Sequence, residues 1–121
     1  MLFDKAIVRT PGKSVVDGID DYADAGKPSY EKAVAEHHAY VELLKKLGIA
    51  VTVLEPLEQF PDSCFVEDPA VVFDDFAVVT NPARSTRQKE REFIRPVLDQ
   101  FFEHDQTFEI TAPGTLEGGD V

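Results

Sequence analysis

The sequence predicts an α/β fold. Short apolar segments rich in β-branched residues alternate with two longer segments of helical periodicity, and an approximate repeat relates the two halves of the chain. This alternation is typical of domains in which helices pack against a sheet. At 121 residues and 43% hydrophobic content, the chain has enough apolar side chains for the core of one domain.

Charge excludes two classes of partner. The chain has 12 Lys and Arg against 23 Asp and Glu, a formal net charge of -11. Such a surface repels nucleic acids and anionic membranes, whereas it attracts cationic small molecules or serves only for solubility. We find no signal-peptide pattern and no apolar run of roughly 18 residues, so the sequence predicts a cytoplasmic protein.

The first half predicts two strands with a helix between them. Lys5–Arg9 is a short apolar strand, and residues 10–28 form a long loop rich in breakers, which is either a lid or a mobile surface loop. Ser29 is the predicted N-cap of a helix that ends at Gly48. Residues 49–54 form the next strand. The helix buries one stripe, formed by Val34, Ala35, Val41, Leu44 and Leu47 and widened by Ala39, Tyr40 and Leu43.

The second half predicts a hairpin, a helix and a strand. Residues 69–73 and 76–80 are apolar strands joined by a two-residue Asp-Asp turn. A helix is expected over residues 87–102, although Pro96 is unfavourable inside it. Residues 107–110 form the last strand before a Gly-rich acidic loop.

The two halves repeat one another weakly. Asp68 and Asp120 follow similar elements and lie 52 residues apart. Such a period suggests modules around an axis, each delivering an acidic loop to the centre, and modules of this kind need neighbours to bury their faces. Because Val121 follows a turn that leads into a strand, we expect the chain to be a piece of a longer polypeptide.

The densest group of chemically active residues is the segment FPDSCFVEDP, residues 60–69. In an extended chain, Asp62 and Asp68 point to one side, while Glu67 points to the other. Buried carboxylates need a cation or donors to neutralise them, and a guanidinium matches them well. An ordinary acidic surface loop remains the alternative.

Two further segments have possible functions. In TLEGGD, residues 115–120, paired glycines between carboxylates permit close backbone approach, and a carboxylate could orient a histidine. A Gly-rich turn is the alternative. In NPARSTRQKE, Arg84 or Arg87 could recognise a substrate carboxylate, or both could be surface arginines.

The remaining candidates predict structural roles. His37, His38 and His104 fit no metal-binding spacing. Cys64 lies among carboxylates, which raise a thiol pKa, so we interpret it as a buried structural thiol. As the single cysteine, it cannot form an intrachain disulfide.

Taken together, PDSCFVEDPAVV, NPARSTRQKE and TLEGGDV resemble the dimethylargininase family in their order and separation. RTPGKSVVDGIDD and GKPSYEKAVAEHHAYVELLKKLG also resemble that family's lid loop and first helix. The resemblance covers the whole chain but only the N-terminal half of the family pattern. It implies an α/β propeller (pentein) of ββαβ modules, with residues 1–121 supplying about two modules of a single domain.

The resemblance implies hydrolysis of N-methylated arginine to citrulline and a methylamine. A cysteine thiolate attacks the guanidinium carbon, a histidine acts as acid and base, and no metal or organic cofactor takes part. Asp62 and Asp68 would hold the guanidinium nitrogens, with Glu67 nearby. Arg87 would contact the substrate carboxylate. The two remaining assigned residues are Ile19, which would touch the bound amino acid, and Glu117, which would orient the histidine.

The family's histidine, nucleophilic cysteine and second substrate arginine have no counterpart among these residues. We therefore expect the chain alone to be inactive and to self-associate or dock on a missing C-terminal half, since two modules leave open sheet edges. Two alternatives remain. One is an arginine deiminase or amidinotransferase of the same superfamily, and the other is a non-catalytic module that binds cationic guanidines.

Overall fold

The computed structural model of the chain describes residues 3–18, 26 and 28–121. The chain divides into two compact units, Met1–Phe65 and Val66–Val121. Strands and helices occur in both units, so the predicted α/β class is confirmed. In the part of the chain that is described, no helix is long and apolar enough to cross a bilayer.

The first unit is built on a parallel pair of strands. Strand β1 spans Lys5–Arg9, helix α1 spans Tyr30–Lys46 and strand β2 spans Ala50–Leu54. Lys5 pairs with Ala50, and the register continues to Arg9 opposite Leu54. Parallel neighbours need a long crossover, and α1 lies in that connection. The predicted strands and helix are therefore confirmed, with β2 starting one residue later than expected.

The ends of α1 follow from local chemistry. The Ser29 hydroxyl oxygen accepts a hydrogen bond from the Lys32 N–H at 3.3 Å, as an N-cap does. Gly48 has a φ of +84°, and its N–H donates to the Lys45 carbonyl at 3.0 Å. A residue without Cβ adopts this left-handed conformation at no steric cost, so the chain can leave the helix there.

The core of the first unit uses only part of the predicted helical stripe. Val41 and Leu44 are buried against Val8 and Ile49, with Ala6 and Val51 packed beside them. Leu47, which was predicted on the buried stripe, is 54% exposed, and the widening residues Tyr40 and Leu43 are 53% and 54% exposed. That part of the prediction is wrong. Val41 and Leu44 are the stripe residues in the buried cluster, because burial depends on what packs against the helix and not on its periodicity alone.

The long loop after β1 begins with an anchored turn. A short 3-10 helix spans Lys13–Asp17. Its first N–H groups, from Lys13 and Ser14, donate to the two carboxylate oxygens of Glu58 at 2.8 and 3.0 Å. These two bonds lower the pKa of Glu58, and the bond from Ser14 has the larger effect. A Cβ on Gly12 would lie 2.6 Å from a Glu58 oxygen, so a larger residue there would displace the end of the Glu58 side chain.

The second unit has the element order strand, strand, helix, strand. Its strands are β3, Ala70–Val72; β4, Ala77–Val79; and β5, Thr107–Glu109. Strands β3 and β4 pair antiparallel, which confirms the predicted hairpin, and β4 pairs in parallel with β5. The central strand is therefore β4.

Helix α2, Arg91–Leu98, is shorter than the predicted helix of residues 87–102. A 3-10 turn at Gln88–Glu90 precedes it, and the chain turns after Leu98, whose carbonyl accepts from the N–H groups of Phe101 and Phe102. Pro96 lies inside the helix. Leu98 is fully buried, and α2 contacts β4, where Ala77 and Val79 are also inaccessible.

Candidate functional site

Three segments singled out from the sequence meet in the second unit. The Thr80 hydroxyl donates to the Asp68 carbonyl at 2.6 Å, and the Gly118 N–H donates to the same carbonyl at 2.9 Å. The Leu116 N–H reaches the Asn81 carbonyl at 3.0 Å. Residues 66–69, 80–83 and 115–120 are therefore held together by hydrogen bonds to backbone carbonyls, which fix the side chains that these segments carry.

Gly118 makes this meeting possible. A Cβ built on Gly118 would lie 2.0 Å from the backbone carbonyl oxygen of Glu67 and 3.1 Å from that of Asp68. Because both atoms belong to the backbone, no side-chain rotation could relieve the contact. The paired glycines thus permit close backbone approach, as the sequence suggested.

The carboxylate of Asp68 has a defined donor on each oxygen. Oδ1 accepts from the Gly119 N–H at 3.1 Å, and Oδ2 accepts from Arg87 Nη1 at 2.5 Å. The side chain is partly buried. A carboxylate held by a backbone amide and a guanidinium stays in one orientation, which is what recognition of a planar cation requires.

Arg87 is itself held by a second acid, Glu90. Its Nε and Nη2 donate to the two oxygens of Glu90 at 2.7 and 2.9 Å. Arg87 is 6% exposed and Glu90 is 3% exposed. Burial alone would lower the pKa of Arg87, but the hydrogen bonds and charges of Glu90, followed by those of Asp68, raise it above its ordinary value. We call Asp68, Arg87 and Glu90 the buried ionic triad, in which Asp68 is the partly exposed member.

The triad carries more negative than positive charge. The three side chains comprise two carboxylates and one guanidinium, so their formal charges sum to -1 when all three groups are ionised. Buried charges are stable only with compensating partners, and an uncompensated negative charge near a binding surface favours a cation. The arrangement is therefore suited to a cationic ligand beside Asp68.

Glu117 lies on the third of the converging segments. Its Oε1 accepts a hydrogen bond from the Ala83 N–H at 2.7 Å, which ties its carboxylate to the segment that precedes Arg87. Glu117 is half-buried. A carboxylate oriented in this way can accept a further bond from an imidazole N–H, since it has lone pairs beyond the one engaged.

The remaining predicted residues are distributed differently. Asp62 belongs to the first unit, where its Oδ1 lies 2.5 Å from the position that a Cβ on Gly18 would occupy. Glu67 is exposed in the turn before Pro69. Ile19 lies outside the described residues. The structure thus brings Asp68, Arg87 and Glu117 into one hydrogen-bond network. It places Asp62 beside Gly18, in the first part of the long loop.

Two expectations about the acidic segment need correction. Residues 60–69 form a loop of successive turns and not the extended backbone that the argument on side-chain direction assumed, as the bonds from the Ser63 and Phe65 N–H groups to the Phe60 and Asp62 carbonyls show. The alternation argument for Asp62 and Asp68 therefore does not apply. Cys64 is half-buried and not fully buried as predicted.

Sequence reasoning missed Glu90. The signal was present, because Arg87 and Glu90 are three residues apart at a helix start, where such pairs become neighbours. An exposed ion pair and a buried ion pair have the same spacing in the sequence. Only the structure therefore shows that Glu90 is buried.

The three histidines lie at two separate places in the described structure, His37 and His38 on α1 and His104 in the second unit. His37 is half-buried, and burial, with a smaller contribution from His38, lowers its pKa. His104 lies with Nδ1 3.2 Å from Arg95 Nη2. Among the residues described, no three His, Cys, Asp or Glu side chains lie close enough to hold a metal ion.

Comparison with known proteins adds independent information. Residues 20–118 match the sequence profile of a family described as N,N dimethylarginine dimethylhydrolase, eukaryotic. The chain is also 40% identical over 120 residues to the N(G),N(G)-dimethylarginine dimethylaminohydrolase of Pseudomonas aeruginosa. That alignment covers 99% of this chain and 46% of the relative, so the chain spans a little less than half the length of that protein.

Solved structures agree with the sequence match. A mutant of the Pseudomonas aeruginosa enzyme complexed with citrulline superposes with a TM-score of 0.95 at 40% identity, covering 99% of this chain and 46% of that one. The N-terminal domain of ArgZ, a cyanobacterial arginine dihydrolase, shares the fold with a TM-score of 0.80 at 19% identity, over 94% of this chain and 42% of that one. On the extent of the profile match, the chain belongs to the dimethylarginine dimethylaminohydrolase family.

Proposed function

We propose that the chain is the N-terminal, substrate-binding part of a hydrolase that converts N-methylated arginine to citrulline and methylamine or dimethylamine. The observation that carries this proposal is the orientation of the Asp68 carboxylate by Arg87 and the Gly119 N–H, within a triad of net negative charge. The methylated guanidinium of such a substrate is a planar cation with N–H donors, which suits an oriented carboxylate.

Each residue has an assigned part in this proposal. Asp68 and Asp62 bind the guanidinium nitrogens, and Glu67 assists from the same loop. Ile19 contacts the bound amino acid, and Arg87 contacts its carboxylate. Because Arg87 already holds Glu90 and Asp68, a substrate carboxylate would share a guanidinium that is tightly engaged. That engagement keeps the arginine in place before the substrate arrives.

The chemical step uses a Cys-His-Glu mechanism. A thiolate attacks the guanidinium carbon, the histidine protonates the departing amine, and water then releases citrulline and restores the thiolate. Glu117 orients the histidine, and its bond from the Ala83 N–H supports this role because it fixes the carboxylate in advance. In this proposal the cysteine and histidine come from sequence other than these 121 residues, so the chain alone is inactive. No metal or organic cofactor takes part, and the protein acts in the cytoplasm.

The fold proposed for the intact protein is an α/β propeller in which residues 1–121 supply about two modules of one domain. The strand–strand–helix–strand order of the second unit supports this, since it matches one ββαβ module.

Citrulline release is the direct test of the function. The complete gene product, expressed from its natural start to its natural stop codon, should release citrulline from dimethylarginine much faster than from arginine. Faster turnover of arginine would instead identify a deiminase, and amidine transfer to an added amine an amidinotransferase. Binding of either compound without product would leave a non-catalytic guanidine-binding module as the better description.

Association is the second expected property. We expect the isolated 121-residue chain to self-associate or to dock on a C-terminal half, because Tyr40 and Leu43 on α1 and Leu47 at its C-terminal end are each more than half exposed. Sedimentation velocity at rising concentration should show species larger than a monomer, and Leu43→Gln should reduce them. A single monomeric species at every concentration would contradict the expectation.

A further inference from the structure

Glu90 has no part in the reaction proposed above, yet it is among the least accessible charged groups of the described residues. It is 3% exposed, at the end of the 3-10 turn that leads into α2. Both of its oxygens accept from Arg87, at 2.7 and 2.9 Å. Burying a carboxylate costs free energy. A buried acid that binds a site arginine through both oxygens is therefore a candidate for a role in that site.

The geometry determines how Arg87 meets Asp68. Glu90 occupies the Nε–Nη2 edge of the guanidinium, which is the edge that gives two parallel bonds to a carboxylate. Asp68 consequently contacts Arg87 through one oxygen, Oδ2, while its Oδ1 accepts from the Gly119 N–H. Each carboxylate oxygen has a second lone pair, so Asp68 is oriented without being saturated.

Glu90 also changes the net charge beside Asp68. If Asp68 faced Arg87 alone, the two would form a neutral pair and Asp68 would attract a cation weakly. With Glu90 present, the guanidinium charge is already matched, and the negative charge of Asp68 remains available to a ligand. Partial desolvation of the triad makes this difference larger than it would be in water.

We infer that Glu90 is a positioning residue that holds Arg87 and keeps the buried ionic triad anionic, so that Asp68 selects a cationic guanidinium over a neutral urea. This inference rests on the proposed function and deepens it. It explains how the site could prefer methylarginine, whose side chain is charged, to citrulline, whose side chain is neutral. The α-amino acid portion is common to both ligands and cancels in the comparison.

The test compares Glu90→Gln with Glu92→Gln in the complete gene product. Glu92 is an exposed residue of α2, so its replacement makes the same charge change outside the triad. We expect Glu90→Gln to raise KM for dimethylarginine about tenfold. The amide offers Arg87 one acceptor oxygen fewer, and the positive charge of Arg87 is then balanced by Asp68 alone, which weakens the attraction of Asp68 for a cationic ligand. The kcat should change little, and Glu92→Gln should resemble the wild type. The inhibition constant of citrulline should rise clearly less than the KM of dimethylarginine, because citrulline shares only the carboxylate contact with Arg87 and has no charged guanidinium beside Asp68.

Other results would overturn the inference. Equal loss of affinity for dimethylarginine and citrulline would mean that Glu90 maintains shape only, and unchanged KM would mean that it has no influence on the site. Glu90→Asp keeps the negative charge and should retain the preference for dimethylarginine over citrulline. If Glu90→Gln fails to fold, loss of that preference in Glu90→Asp would contradict the inference. A wild-type protein that releases no citrulline from dimethylarginine would refute the proposed function instead, so the two failures are distinguishable.

Discussion

Replacing Asp68 by asparagine should lower kcat/KM for dimethylarginine by about a thousandfold in the complete gene product. The reason lies in the donors that surround the carboxylate. Oδ1 faces the Gly119 N–H and Oδ2 faces Arg87 Nη1, so the NH₂ group of an asparagine must point at a donor in either orientation. The substitution also removes the negative charge that a guanidinium requires.

The matched control for this substitution is Asp74→Asn in the exposed turn between β3 and β4. It makes the same change in charge outside the network, and we expect activity and melting temperature close to those of the wild type. Steady-state citrulline release at several substrate concentrations measures the effect. Activity of the Asp68→Asn variant within tenfold of the wild type would remove Asp68 from the binding role that we propose.

Replacing Gly118 by alanine should have the other large effect. Its Cβ would overlap the backbone oxygen of Glu67, so the segment 115–120 must move away from residues 67–68. The bonds from Gly118 to the Asp68 carbonyl and from Gly119 to the Asp68 carboxylate would then lengthen or break. We expect a loss of about 1–3 kcal/mol in the free energy of unfolding. A displacement of Asp68 by roughly 1 Å should also lower kcat/KM about a hundredfold.

Gly114→Ala provides the comparison. A Cβ at Gly114 would lie 3.3 Å from the nearest atom, the Thr111 carbonyl oxygen, so a shift of a few tenths of an ångström accommodates it. Thermal unfolding and citrulline release should therefore separate the two variants clearly. If Gly118→Ala melts with the wild type and remains active, the close approach of the two loops is not important for the site.

Much of the secondary structure could be predicted from local signals. The β-branched segment Lys5–Arg9, the Ser29 cap and the Gly48 terminus each describe a few neighbouring residues, and all three agree with the structure. The hairpin of β3 and β4 was predictable for the same reason. The burial of individual side chains, which depends on contacts distant in sequence, was harder to predict. Leu47 was expected on the buried face and is exposed, because burial depends on what packs against the helix and not on the helix itself.

The candidate site was predictable as a set of segments. The resemblance to the dimethylargininase family singled out Asp68, Arg87 and Glu117, and all three lie in one network of the second unit. It also singled out Asp62 and Glu67, whose roles remain predictions, and Ile19, which lies outside the described residues.

By itself, the sequence determined the α/β class, the position of most elements, the acidic character of the protein and the segments that form the candidate site. These follow from periodicity, capping, charge and motif order, which are properties of neighbouring residues. Only the tertiary structure decided that Glu90 is buried on Arg87, that Arg87 reaches Asp68, and that Gly118 touches the Glu67 carbonyl. These contacts join segments up to 51 residues apart. The spacing of Arg87 and Glu90 is local, but the burial of that pair and the other two contacts depend on which surfaces the folded backbone brings together.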